Sequence, residues 1–252
     1  MTMGPHQEFG RPRPGAIAGT EPPPAVANRI LLALPPADRA RLLMALQPVT
    51  FSLGDVVCES GGRMEYIYFP TTAVVSSMYT TEEGASAEMC LAGNDGVVGV
   101  SLFLGSDTTP YRDMVVVAGA ALRMKARALR EEFARGGALQ FLLLGYTRAL
   151  LTQIAQTAVC NRLHMIEQRL CRWLLLCHDR VRTNELELTQ ELISSLLGGR
   201  RESVTMAAGR LQDAGVIRYS RGRITILDRK GLEASACECY STVESERARG
   251  AV

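Results

Sequence analysis

The sequence predicts an α+β chain in two parts, and three observations predict it. Between residues 49 and 124, short runs rich in Val, Ile, Tyr, Phe and Thr are divided by turn-forming pieces such as LGD, SGGR, EEGAS, AGNDG and LGSDTTP. Regular short strands with Gly, Asp and Asn turns form an antiparallel barrel or sandwich. From Ala126 onward apolar residues return at helical spacing. The last third reads helix, helix, tight Gly-Gly turn, helix and two short strands about Arg221-Gly222, the order of a winged helix-turn-helix.

Length and composition agree with two modest domains. A chain of 252 residues, 47% hydrophobic and 21% charged, can bury full cores and is neither disordered nor fibrous. The net charge of +2 is small, but residues 162–230 hold 13 Lys and Arg against 8 Asp and Glu. Such local excess suits contact with a polyanion. The longest apolar run, MVVVAGAAL at 114–122, falls far short of the roughly 20 residues that span a bilayer, so no membrane contact is expected. The N-terminus shows no basic stretch followed by an apolar one, and seven scattered cysteines make a poor disulfide framework. Both point to a reducing cytoplasm.

In order along the chain, residues 1–27 are rich in Pro and Gly and read as a flexible arm. Residues 28–46, NRILLALPPADRARLLMAL, are two short helical patterns broken at Pro35-Pro36. With the strands they make a domain over 28–135. Residues 136–161 form one long helix in which Leu143, Tyr146, Leu150, Gln153, Thr157 and Cys160 recur at steps of three and four. This stripe either packs on the chain's own strands or forms a dimer seam. A dimer seam is the expected reading, though Gln153 and Thr157 weaken it. The winged helix-turn-helix covers 162–240, and 241–252 read as an exposed tail.

Within the third part, Thr189 caps a helix over 190–197 and Gly198-Gly199 stops it, because glycine accepts the left-handed turn. The next helix starts near Arg200 or Arg201 and turns Val204, Ala207, Ala208 and Leu211 inward, leaving its N-terminal half to face outward. The second helix of such a motif enters the major groove N-terminus first. Arg donates to guanine O6 and N7 and Glu accepts from cytosine N4, so Arg201, Glu202 and Arg200 are the expected base readers. Thr189, Ser203, Thr205 and Arg210, with Arg218, Arg221 and Arg223 around the hairpin, are expected on the phosphates.

At these residues the chain resembles a known family. LTQELISSLLGGRRESVTMAAGRLQDAGVIRYSRGRITILD, residues 188–228, is similar to the DNA-binding domain of Crp/Fnr-type bacterial transcription regulators. The resemblance implies that Arg201 and Glu202 are the family's base-reading pair and Ser203 its neighbour. Met206 stands where many members place a second base-reading Arg. LGDVVCESGGRMEYIYFPTTAVVSS and GNDGVVGVSLFLG resemble a cyclic-nucleotide-binding-type barrel, which makes 28–135 a sensor barrel and 136–161 a dimerisation helix. Gly99, Val100, Ser101 and Arg112 then mark an effector pocket. It departs from the pattern, with Val100 in place of the ribose-binding Glu and TTPYRDM near the phosphate-binding Arg-Ser/Thr. Without those groups ordinary cyclic AMP is not the expected ligand.

Cys237-x-Cys239 and the Cys160/His164 pair each offer half a metal site, so no metal or cofactor is expected. His6, His164 and His178 suggest no catalytic triad, and GNDGVVG lacks the Lys-Ser/Thr of a phosphate-binding loop, so the chain is not expected to be an enzyme. The expected partners are double-stranded DNA and a second copy of the chain, with RNA polymerase and an unidentified small-molecule effector as further candidates. The rival reading is a regulatory module whose C-terminal domain docks a protein.

Overall fold

The computed structural model describes residues 28–181 and 183–250; the arm over 1–27 lies outside them. The chain opens with α1 (Arg29–Ala33), capped by Asn28, whose Oδ1 accepts from the amides of Ile30 and Leu31. The Asn28 Nδ2 group donates to the carbonyls of Pro70 and Gly96, at 3.0 and 2.8 Å, which pins this end of the chain to the strands. Next, α2 (Pro36–Leu43) starts with proline in its first turn, where no amide is needed.

Seven strands follow: β1 (Gln47–Phe51), β2 (Val56–Cys58), β3 (Tyr66–Pro70), β4 (Val74–Thr80), β5 (Ser86–Ala92), β6 (Arg112–Val117) and β7 (Gly119–Lys125). They make two antiparallel sheets, ordered β1-β7-β3 and β2-β6-β4-β5, whose inner faces share one core around Ile67, Phe69, Val75, Val115 and Met124. The expected barrel is therefore a pair of facing sheets that do not close by hydrogen bonds. The chain changes sheet between β6 and β7. At that corner a Cβ on Gly119 would lie 2.6 Å from the Ala73 amide, so only glycine lets the strands pass.

Helices α3 (Ala126–Ala134) and α4 (Ala138–Leu163) come next, then α5 (Ile166–His178). The last part is β8 (Glu185–Glu187), α6 (Gln190–Leu197), α7 (Arg201–Asp213), β9 (Ile217–Ser220), β10 (Arg223–Ile226), α8 (Arg229–Ser235) and α9 (Cys239–Gly250), with a sheet ordered β8-β10-β9. A second core begins on the outer face of the four-stranded sheet, at Val74, Met78, Leu91 and Val116. It continues through α5, α6 and α7, so both faces of that sheet are covered. Within this junction the buried Glu88 carboxylate accepts from Trp173 Nε1 and from Ser76 Oγ, both at 2.8 Å. Nearby, buried Arg180 pairs with Asp95 at 2.8 Å. The two halves are thus joined by apolar area and by polar groups that cannot be left unpartnered.

Two expectations fail here. Residues 241–250 are helix, not exposed tail: α9 runs along α4, buries Val243, and holds Arg148 through Glu246 at 2.6 Å. Its sequence is mostly polar and is fastened by ion pairs, so it has no apolar stripe to read. The proposed dimer stripe is the chain's own core. Leu143 is fully buried, Tyr146 donates to the Val97 carbonyl at 3.1 Å, and Leu150 packs beside it. The Gln153 amide meets both backbone groups of Leu91, and Thr157 Oγ1 accepts from Arg172. The polar residues that weakened a dimer seam are satisfied inside one chain.

Candidate nucleic-acid interface

The helix-turn-helix is built as its residues dictate. Thr189 Oγ1 accepts from the Leu192 amide at 3.1 Å and starts α6, while Gly198, at φ +58, ends it. Gly199 is held closely, since a Cβ there would meet Ile166 Cδ1 at 2.8 Å. Helix α7 then crosses with Val204, Ala207, Ala208 and Leu211 buried. Small residues at two of these positions allow the close approach.

The outer side of α7 carries the candidate contacts. Arg200, Arg201, Glu202, Thr205, Met206 and Arg210 are exposed, and Ser203 is half-buried. Unlike α6, α7 has no side-chain cap: Arg200 occupies that position, where its carbonyl accepts from the Val204 amide but its side chain bonds to none of the first amides. The first amides of α7 therefore face outward with the partial positive charge of a helix start, beside two arginines. Arg200, Arg201 and Glu202 enter no ion pair among the described residues.

The other expected contacts are less free. Thr205 donates its hydroxyl to the Arg201 carbonyl at 2.9 Å, which uses the proton a phosphate needs. Arg210 lies 3.4 Å from Glu167 of α5, and Arg223 pairs with Glu187 at 2.9 Å across the β8-β10 ladder. Arg218 is exposed on β9. Arg221 and Gly222 join β9 to β10 with φ of 52° and 73°. Two positive φ values in a two-residue hairpin define a type I′ turn, normally Asn-Gly or Gly-Gly. An arginine there is strained, and it projects from the wing tip.

The expected effector pocket is only partly assembled. A cavity between the sheets and α4 is lined by Gly99, Val100, Ser77, Cys90, Asp113 and Tyr146. Ser101 turns away towards Met64, and Arg112 pairs with Glu59 at 3.2 Å instead of lining the cavity. Alternation along β6 is the cause: neighbouring residues take opposite faces, and Asp113 takes the inner one. Its carboxyl accepts from Ser77 Oγ at 2.5 Å, and burial raises its pKa to about 7. The cavity is thus lined by the Asp113 carboxyl and not by the guanidinium of Arg112. The sequence placed Arg112 in the pocket and passed over Asp113; only the phase of β6 separates them.

One further group of side chains comes together. Cys160, His164, Cys237 and Cys239, two half-sites in the sequence, offer ligand atoms within 4.8 Å of one another.

Comparison with known proteins gives the fold a context. Residues 168–235 match the model of the Crp-like helix-turn-helix domain. No curated protein matches the chain in sequence. Among solved structures, FixK2 from Bradyrhizobium japonicum superposes with a TM-score of 0.65 at 15% identity, covering 76% of this chain and 98% of its own. A Crp/Fnr-family transcriptional regulator from Thermus thermophilus gives 0.57 at 21% identity, covering 75% and 98%. The c-di-GMP responsive global regulator CLP from Xanthomonas campestris gives 0.58 at 15%, also covering 75% and 98%.

Proposed function

We propose that this chain, a Crp/Fnr-type regulator by its helix-turn-helix domain and its fold, controls transcription as a homodimer that inserts one α7 into each of two successive major grooves. The observation that carries the reading is the start of α7, an uncapped helix N-terminus bearing exposed, unpaired Arg200, Arg201 and Glu202. Arg201 and Glu202 read base edges, with Arg200 beside them. Phosphates are held by the first amides of α7, by Ser203, and by Arg218 and Arg221 on the wing. Thr189, Thr205, Arg210 and Arg223 contribute less, since their hydrogen-bonding groups or charges are already engaged.

The dimer seam is the open side of α4. Phe141, Leu144, Leu151 and Val159 are exposed, and with exposed Ala155 and Ala158 they fall within about 100° of one another round the helix, an arc that also holds Arg148, engaged by Glu246. This face lies two residues out of register from Leu143, Tyr146 and Leu150, or about 200° round the helix. Two copies joined there present two α7 helices related by a two-fold axis, which calls for a palindromic operator.

Cyclic AMP is not the effector in this reading, because Asp113 faces the cavity and Arg112 does not. The cavity suits an uncharged or cationic molecule. RNA polymerase and a cytoplasmic setting follow from the role of such a regulator, and no helix among the described residues is long and apolar enough to cross a membrane.

The test is DNA selection on the purified, nucleotide-free chain at near-physiological salt. A palindromic consensus is expected, with binding that falls steeply as salt rises. Absence of any consensus with and without added cyclic nucleotides would favour a module that docks a protein.

A further inference from the structure

The end of α4 and the start of α9 meet at four side chains. Cys160 lies in the last turn of α4, and His164 follows as its C-terminal cap. Cys237 precedes α9 and Cys239 begins it. The Sγ atoms of Cys160 and Cys237 are 3.5 Å apart, and Cys239 Sγ is 3.6 Å from His164 Nδ1. A disulfide would need about 2.05 Å. A tetrahedral ion with metal–sulfur bonds of about 2.3 Å and metal–nitrogen bonds of about 2.1 Å sets its ligands about 3.8 and 3.6 Å apart. These two separations lie within about 0.3 Å of such edges, and all four ligand atoms lie within 4.8 Å of one another.

The surroundings fit a closed metal site. The three thiols are 0%, 5% and 1% exposed and make a buried group of their own, apart from both cores. The other ring nitrogen of His164, Nε2, lies 3.3 Å from Glu238 Oε1. A metal-bound histidine is commonly oriented by a carboxylate in this way, leaving Nδ1 to the metal. Charge is compensated as well. Three thiolates around a divalent ion leave one negative charge, Glu238 beside His164 adds a second, and Arg169 and Arg172 are buried close by, each with an unpartnered Nε.

We propose that Cys160, His164, Cys237 and Cys239 hold a structural zinc ion that fastens α9 to the end of α4. Three thiolates and an imidazole in tetrahedral array select zinc, and four protein ligands leave no position for a substrate. An iron-sulfur cluster spreads its ligands over several irons and needs them further apart than 4.8 Å. The ion closes a link between residues 77 apart, at the point where α4 gives way to the helix-turn-helix part of the chain.

The test is the metal content of the full chain, purified under reducing conditions. About one zinc per chain is expected. Cys237→Ser and Cys239→Ser should lose it, and cobalt substituted for zinc should show thiolate-to-cobalt charge transfer that disappears in the same variants. Should those variants fold poorly, Glu238→Gln leaves all four ligands in place and should weaken zinc binding by about 10- to 100-fold in a chelator competition. A chain that takes up no zinc, a Cys160–Cys237 disulfide found by mass spectrometry, or bound iron with acid-labile sulfide would each overturn the proposal. None of these readouts involves DNA, so their failure leaves the proposed function untouched.

Discussion

Helices α7 and α4 both carry stripes at steps of three and four, but only in α7 does the stripe reveal which way the helix faces. Val204, Ala207, Ala208 and Leu211 have mostly polar neighbours on the other sides, with Met206 the exception, so the buried face has one solution, and these are the residues that are buried. Helix α4 reads ALQFLLLGYTRALLTQIAQTAVCNRL, apolar on nearly all sides. Periodicity then gives the spacing of the contacts and leaves their phase open. Strand β6 poses the same problem with a period of two, since adjacent Arg112 and Asp113 are both charged and either can point inward. A surface is legible from sequence where one side of an element is clearly polar, and illegible where both sides have a use for the same residue types.

That contrast is most easily broken at α4. Leu151→Asp, on the open face, should yield a monomer by light scattering and lower affinity for a palindromic duplex about 100-fold or more, since the second half-site is no longer tethered. Gln153→Ala, on the buried face, should destabilise the chain and leave any surviving protein dimeric. If Gln153→Ala gives folded monomers and Leu151→Asp does not, the phase assigned to α4 is wrong.

The phase of β6 is tested through pH. Burial raises the Asp113 pKa to about 7, so the folded chain holds this proton more tightly than the unfolded one. The stability from this group is complete near pH 4, declines as pH rises towards 7, and is flat above. Asp113→Asn should therefore stabilise the chain at pH 8 by about 2–4 kcal/mol and hardly at all at pH 4. Glu88, also raised by burial, keeps a residual slope in both proteins. Equal effects of the substitution at both pH values would place Asp113 in water.

The smallest effect is expected at the wing. Arg221→Gly relieves a left-handed backbone and should raise stability by about 0.5–1 kcal/mol. It should also lower affinity by less than about tenfold on every duplex alike, because a phosphate contact carries no sequence information. A loss confined to one base pair would move Arg221 from backbone to bases.

Much of the DNA-binding half was readable: the Thr189 cap, the Gly198 stop, the inward face of α7 and the Arg221-Gly222 hairpin are all local chemistry. Three features were not. Helix α9 lacks an apolar stripe and is held by Arg148 and Asp95, partners distant in sequence. The facing sheets depend on a crossing at Gly119 rather than on strand composition. The Cys-x-Cys and Cys-x3-His pairs were visible, but their meeting is tertiary. Nor could sequence show that Thr205, Arg210 and Arg223 are engaged within the chain, since their partners lie in other elements or in the backbone.

The central claim is that the start of α7 reads bases, and the most direct measurement is the affinity of Arg201→Ala for a selected palindrome and for a scrambled duplex at one salt concentration. A loss of about 1–3 kcal/mol is expected on the palindrome, with relaxed preference at one base pair and little change on the scrambled duplex. The same fractional loss on both duplexes would mean that Arg201 touches only phosphate, and would contradict the claim.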